Sequence, residues 1–299
     1  MANHHVALLL FVALLASFEM PSLAETAPKS VTVSFPPSSK FLCTIDPSPN
    51  EPGVKASDVC RPSVEKPTHL ILSNINDVIS ARYQWNTPVQ LWKKNSKYVA
   101  SFNAYFVVNF DRDAEFTQRP LFSGGGVAFA FTPALSGLKG TGPETFGLFP
   151  IDEATGASLR GAKTKTVAVE LDLSRTSNTG FDPLAPHTGL DINSMKSVKT
   201  KYLGDPDTII DVKIGVWVEY DALKTTLKVF LHKVKANLTP NRKNANIAIS
   251  YTGLDLAKEV NEFSYVGFGS RVPEQPNGMY RIYDFKFTTK WVLGSKVNK

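Results

Sequence analysis

The chain has 299 residues, 33 Lys and Arg against 27 Asp and Glu, a formal charge of +6, and two cysteines. That length is enough for one large domain with a full core. Apart from Lys93-Lys94 and the tail lysines Lys286, Lys290, Lys296 and Lys299, the basic residues are scattered. Charge spread in this way serves solubility, with at most weak attraction to acidic cell-wall polymers, and argues against a nucleic-acid partner.

The chain opens with an apolar run, Val6 to Ser17, followed by Pro21 and the small residues Ser22 and Ala24. This predicts a secretory signal peptide over 1–24, with histidines in place of the usual basic residues before the run. The run is short of the ~20 apolar residues a membrane span needs, and no later stretch could span. Cleavage leaves one domain, 25–299, of about 275 residues; it removes Glu19 and no Lys or Arg, so the charge of +6 becomes +7. The expected destination is extracellular, the apoplast, with the vacuole as the other compartment. There an isolated pair, Cys43 and Cys60, is expected to form a disulfide closing a loop of about 16 residues, worth ~3 kcal/mol. Asn237-Leu238-Thr239 is a glycosylation sequon, followed directly by Pro240.

Ser30 to Phe35 alternates and predicts a strand. Residues 36–68, rich in Pro, Ser and Asp and holding both cysteines, read as a long stapled loop insertion. Strands are predicted at His69 to Leu72, Tyr83 to Trp92 and Tyr98 to Phe110, the last two parted by a turn at Lys93 to Ser96. Ser123 to Gly126 leads into the strand Val127 to Thr132, closed by Pro133. No helical pattern follows those glycines, so they are not a phosphate cradle. A Gly-rich loop over 134–145 precedes Phe146 to Phe149. Val212 to Tyr220 and Thr226 to His232 predict a hairpin, then come a strand at Asn246 to Tyr251, one helical turn at Leu256 to Asn261, and strands at Phe263 to Ser270 and Tyr280 to Trp291. About a dozen strands without alternating helices predict an all-β fold, an antiparallel β-sandwich.

The stretch 166–201 carries the chemistry. It starts as a strand, crosses a polar loop and returns as a second strand. Val167, Val169, Leu171 and Leu173 point one way, Ala168, Glu170 and Asp172 the other. Asn178, Asp182 and His187 follow. Four oxygen-bearing groups and one imidazole suit a hard cation such as calcium beside a transition metal such as manganese.

Several of these stretches together resemble the legume lectin family: YQWNTPVQLWKKNSKYVASFNAYFVVNF, VAFAFTP, VAVELD, NTGFDP, HTGLDINSMKS, VWVEYDA and YVGFGS. The resemblance covers roughly 28–291 and is most specific at the centre. It implies a jelly-roll sandwich of curved antiparallel sheets, a paired Mn2+ and Ca2+ site, a shallow sugar site above it, glycans or glycoproteins as partners, and a homodimer as one assembly. By the same resemblance Glu170, Asp172, Asp182 and His187 match the manganese ligands. Asp172, Asn178 and Asp182 match the calcium ligands, with a backbone carbonyl from Ser174 or Thr176, and Ser197 matches a serine that holds a metal-bound water. Asp172 and Asp182 can bridge two cations, whose charge compensates the carboxylates.

The sequence departs from the family pattern in four places. Two extra residues stand between Asp172 and Asn178. Gly125 aligns with the sugar-binding Asp, Glu144 with a glycine whose N–H reaches the sugar, and Thr176 or Ser174 with an aromatic platform. Of the usual sugar contacts, Asn178 is kept. Cysteines are also unusual among seed lectins.

Two readings follow: a secreted, metal-stabilised glycan-binding protein of lectin type, using loops near 123–126, 139–146, 174–182 and 270–279, or a lectin-like defence or storage protein without classical monosaccharide binding. A β-glucanase-like enzyme would carry Glu-x-Asp-x-x-Glu, and here Arg175 stands where the acid/base belongs, so no activity is expected; retaining hydrolysis needs two carboxyls about 5–5.5 Å apart. Ending at Lys299, the chain is not expected to be a receptor-kinase ectodomain with its own membrane span. His69 and His232, in strand runs, read as packed or exposed residues rather than ligands, and Trp217 and Trp291 as core or interface aromatics.

Overall fold

The computed structural model describes residues 26–34, 41–47, 61–62, 69–72, 79–112, 125–135, 145–149, 164–173, 183, 186–205, 208–271 and 278–294. Two eight-stranded antiparallel sheets face each other across one apolar core. The first sheet holds β1 (Thr32–Ser34), β3 (Arg61–Pro62), β4 (His69–Ile71), β7 (Tyr98–Arg112), β12 (Val212–Asp221), β13 (Thr226–Lys235), β14 (Asn246–Thr252) and β16 (Gly278–Leu293). Its order is β14-β13-β12-β7-β16-β4-β3, with β1 also on β16. The second holds β2 (Phe41–Pro47), β5 (Ile79–Trp85), β6 (Val89–Gln90), β8 (Gly126–Thr132), β9 (Val167–Asp172), β10 (His187–Ile192), β11 (Ser197–Tyr202) and β15 (Phe263–Arg271). Its order is β11-β10-β9-β8-β15-β5-β2, with β6 also on β15.

Period-two patterning decides which residues enter the core. In β12, Ile214, Val216 and Val218 are fully buried and Trp217 faces out. Phenylalanines carry the contact between the sheets: Phe102 of β7 meets Phe131 of β8 at 5.0 Å and 64°, and Phe268 of β15 meets Phe285 of β16 at 5.0 Å and 74°. Such edge-to-face pairs add roughly 0.5–1.5 kcal/mol each beyond their buried area. β8 is buried on both faces: Val127, Phe129 and Phe131 join the main core, while Ala128 and Ala130 join a second cluster with Phe146, Leu148, Phe149, Ala168 and Met195. That second cluster lies on the outer side of the sheet, where the candidate site is built.

The hairpin β12–β13, the turn at Lys93–Ser96 (Asn95 φ 59) and the single helical turn α1 (Leu256–Glu259), capped by Asp255, follow the sequence expectation. Three expectations are corrected. Within 36–68, Phe41–Pro47 is a sheet-edge strand rather than loop; Phe41 stacks on Tyr83 at 4.9 Å, and that aromatic contact outweighs the surrounding Pro and Ser. Tyr83 to Trp92 is not one strand, since the chain leaves the sheet after Trp85 and re-enters at Val89. Phe146 to Phe149, to which the sequence assigned no element, is a turn, with Phe146 at φ 50 and Gly147 at φ 64. The returning limb of 166–201 is a two-strand hairpin, β10–β11, rather than one strand. Residues 1–24 and Cys60 lie outside the described residues. Among the described residues no helix is long and apolar enough to cross a membrane.

Candidate metal centre

Three strands place the ligands. β9 and β10 pair with His187 opposite Asp172, Gly189 opposite Glu170 and Asp191 opposite Ala168. With Val167, Val169 and Leu171 spent on the core, Glu170 and Asp172 project from the outer face, and His187, Gly189 and Asp191 share that face. β11 completes the group. A register shift between Leu190 and Asp191 sets Asp191 opposite Ser197, and so brings the serine hydroxyl over Glu170.

Glu170, Asp172 and His187 each offer one ligand atom, and these atoms lie within 4.8 Å of one another. Glu170 is fully buried and His187 is 1% exposed. Glu170 Oε1 lies 3.0 Å from His187 Nε2 and accepts from Ser197 Oγ at 2.9 Å. Among the described residues Glu170 Oε2, which is buried, has no hydrogen-bond partner. An isolated carboxylate oxygen held from water costs roughly 1–3 kcal/mol or more, so the pocket is incomplete as a set of protein groups. A divalent cation would supply the missing partner, with Glu170, Asp172 and His187 to hold it. Carboxylate oxygens with one imidazole are the donor set for manganese next to calcium.

Two residues that the sequence reading did not single out shape this pocket. A Cβ on Gly189 would lie 2.0 Å from Ser197 Oγ and 2.4 Å from Glu170 Oε1, so only glycine leaves room for the carboxylate to cross β10. Asp191, fully buried, accepts from Ser197 Oγ at 2.8 Å. One hydroxyl carries one proton, so it serves Glu170 or Asp191 but not both together. The signal for both was present in His187-Thr188-Gly189-Leu190-Asp191, where period two places the first, third and fifth residues on one face.

Beside the cluster, residues 145–149 lie across the sheet. Ala128 and Gly269 form the bed; a Cβ on Gly269 would be 2.4 Å from the Phe146 carbonyl oxygen. Arg82, nearly fully buried, donates its Nε–H to the Gly147 carbonyl and pins the turn. Gly125 is buried at φ 106, and its carbonyl accepts from Leu173 N at 2.9 Å, where β9 runs out toward the loop. That backbone angle suits glycine alone. Of the other residues expected at the site, Glu144, Ser174, Thr176, Asn178 and Asp182 lie outside the described residues. Ser197 touches Glu170 directly.

A legume lectin domain model matches residues 61–297, well over half of the chain. The chain belongs to the legume lectin family. Lectin DB58 of Vigna unguiculata subsp. cylindrica is 28% identical over 186 residues, 62% of this chain and 58% of that protein, so the match spans little more than half the length of that relative. Among solved structures, lectin II from Ulex europaeus superposes with a TM-score of 0.67 at 24% identity, covering 89% of this chain and all of the other. Arcelin-5, a lectin-like defense protein from Phaseolus vulgaris, superposes at 0.61 with 21% identity over 88% of this chain and 99% of its own. These two likenesses carry the fold. Legume lectins typically hold calcium and manganese, and the Glu170–Asp172–His187 cluster offers ligands for one such cation.

Proposed function

We propose that this legume lectin family protein is a secreted, metal-stabilised glycan-binding protein with an altered sugar site, acting in glycan recognition or plant defence. The observation that carries the reading is the buried, unpartnered Glu170 Oε2 within a three-ligand cluster. Glu170, Asp172, Asp182 and His187 would hold Mn2+. Asp172, Asn178, Asp182 and a carbonyl of Ser174 or Thr176 would hold Ca2+, with Ser197 behind them. The cations would supply positive charge that offsets the buried carboxylates. By the family resemblance, Asn178 would contact a sugar hydroxyl. Export is supported by the apolar run before Ala24, and the Cys43–Cys60 disulfide by the absence of a free cysteine among the described residues. Asn237 is exposed in the turn after β13, as a glycosylation acceptor must be.

A second reading, a lectin-like defence or storage protein without monosaccharide binding, is favoured by Gly125. The charge-assisted acceptor an Asp supplies there, roughly 1.5–3 kcal/mol per bond, is missing, and φ 106 suits no residue with a side chain. A glycan array probed with and without chelator separates the two. Chelator-sensitive binding to defined glycans supports the first reading. A folded, metal-loaded protein that binds no glycan overturns it in favour of the second.

A further inference from the structure

At the side of the sandwich where β11 runs beside β14, the sheets leave a cleft of about 320 Å3, at the far end of β11 from Ser197. Its floor is apolar: Leu203, Leu231 and Ala248 belong to the core or pack against it. Along β13 the residues facing the core are Leu227, Val229 and Leu231, and the next on that face is Lys233. A lysine stands where the pattern asks for an aliphatic side chain. It is half-buried, and its ammonium donates to the Leu203 carbonyl; burial also holds its pKa below the usual lysine value. Among the described residues neither Lys233 nor Lys201 has a carboxylate within ion-pair distance.

The charged lining is one-sided. His232 Nδ1 accepts from Asn241 N at 2.9 Å, so the neutral ring keeps its proton on Nε2 and is a donor there. Tyr202 Oη is engaged with Asp205 Oδ1 at 2.9 Å. The charged groups at the cleft are both cationic, Lys201 and Lys233, with His232 Nε2 a further donor and the Asn246 amide offering a donor and an acceptor. Two ammonium groups without a carboxylate partner among the described residues call for an anion rather than a neutral sugar, and an inorganic anion has no use for an aliphatic floor. We propose that the cleft between β11, β13 and β14 binds a small amphipathic carboxylate, its hydrocarbon body on Leu203, Leu231 and Ala248 and its carboxylate between Lys201 and Lys233. The volume suits a small-molecule ligand. The inference does not depend on the glycan reading, because no residue of the metal centre lines the cleft.

The test is calorimetric titration of the full chain with 3-phenylpropionate, with 3-phenylpropionamide, acetate and inorganic phosphate as controls. Saturable binding of phenylpropionate is expected, with the amide and acetate at least about tenfold weaker. Lys233→Met, which keeps the aliphatic stem, and Lys201→Met are each expected to weaken it roughly tenfold. Equal binding of acid and amide, preference for phosphate, no binding of the acid, or unchanged affinity in a folded lysine variant overturns the proposal. Should Lys233→Met unfold, exposed Lys201 decides the question alone.

Discussion

Gly189 lies opposite Glu170 in the β9–β10 ladder, and the hydrogen that stands in for its side chain is what lets the Glu170 carboxylate reach His187 and Ser197. Gly189→Ala sets a methyl 2.4 Å from Glu170 Oε1 and 2.0 Å from Ser197 Oγ. We expect a loss of about 1–3 kcal/mol in urea unfolding, typical of overpacking, together with loss of bound manganese by elemental analysis. Unchanged metal content would show that the carboxylate does not need this path.

Asp191 and Glu170 are two buried carboxylates sharing one serine proton. Without cations their mutual repulsion opposes folding; with cations it is offset. Asp191→Asn keeps the acceptor toward Ser197 and removes a charge. In chelator it should therefore raise stability over the parent by about 1 kcal/mol, and with saturating manganese the gain should shrink or reverse. Parallel urea curves in the two conditions decide it.

Much of this was readable in the sequence because period two carries both core and site. Val167, Val169 and Leu171 declare the inner face of β9, so Glu170 and Asp172 must share the outer one. The same rule applied to β10 would have yielded Gly189 and Asp191. What it does not carry is the register shift at Leu190/Asp191, a long-range pairing choice that moves Ser197 onto Glu170. Nor does local composition reveal β2, an edge strand held by the ring stacking of Phe41 on Tyr83, residues far apart in sequence. Nor does local pattern carry the turn at 145–149, which is held by Arg82 from another strand and by the space above Gly269.

Asn193 fixes the start of the β10–β11 turn. At φ 55 its Oδ1 accepts from Thr166 N at 3.1 Å and its Nδ2 donates to Glu259 Oε2 at 2.6 Å. Asn193→Ala loses both bonds and keeps an unfavourable backbone angle, for about 2–3 kcal/mol; Asn193→Gly relieves the angle alone and should recover about 1 kcal/mol of it. Denaturant midpoints of the two variants check this ordering, and equal losses would contradict it.

Stability should also fall in strong alkali. Burial pushes the phenols of Tyr83 and Tyr220 up to about 12, and Tyr220 donates to the Leu254 carbonyl at 2.7 Å. An unfolded tyrosine ionises near pH ~10, so above that the unfolded chain loses protons that the folded chain keeps. The contribution is whole below about pH 10 and is lost as pH rises toward 12, by about 1.4 kcal/mol per pH unit and group. Tyr220→Phe should lower stability by about 1 kcal/mol at neutral pH and flatten the alkaline decline. An equal slope in both proteins, followed by urea unfolding across the pH range, would contradict the assignment.

The claim on which the account rests is that Glu170, Asp172 and His187 are the protein half of a cation site. Equilibrium dialysis of the purified full chain against manganese and calcium, followed by elemental analysis, tests it most directly, with Glu170→Gln and His187→Ala alongside. The account predicts about one equivalent of each metal on the parent chain, manganese lost from both variants, and a thermal midpoint that rises with metal only in the parent. A parent chain that retains neither metal, or a Glu170→Gln chain that retains manganese as well as the parent, would contradict it.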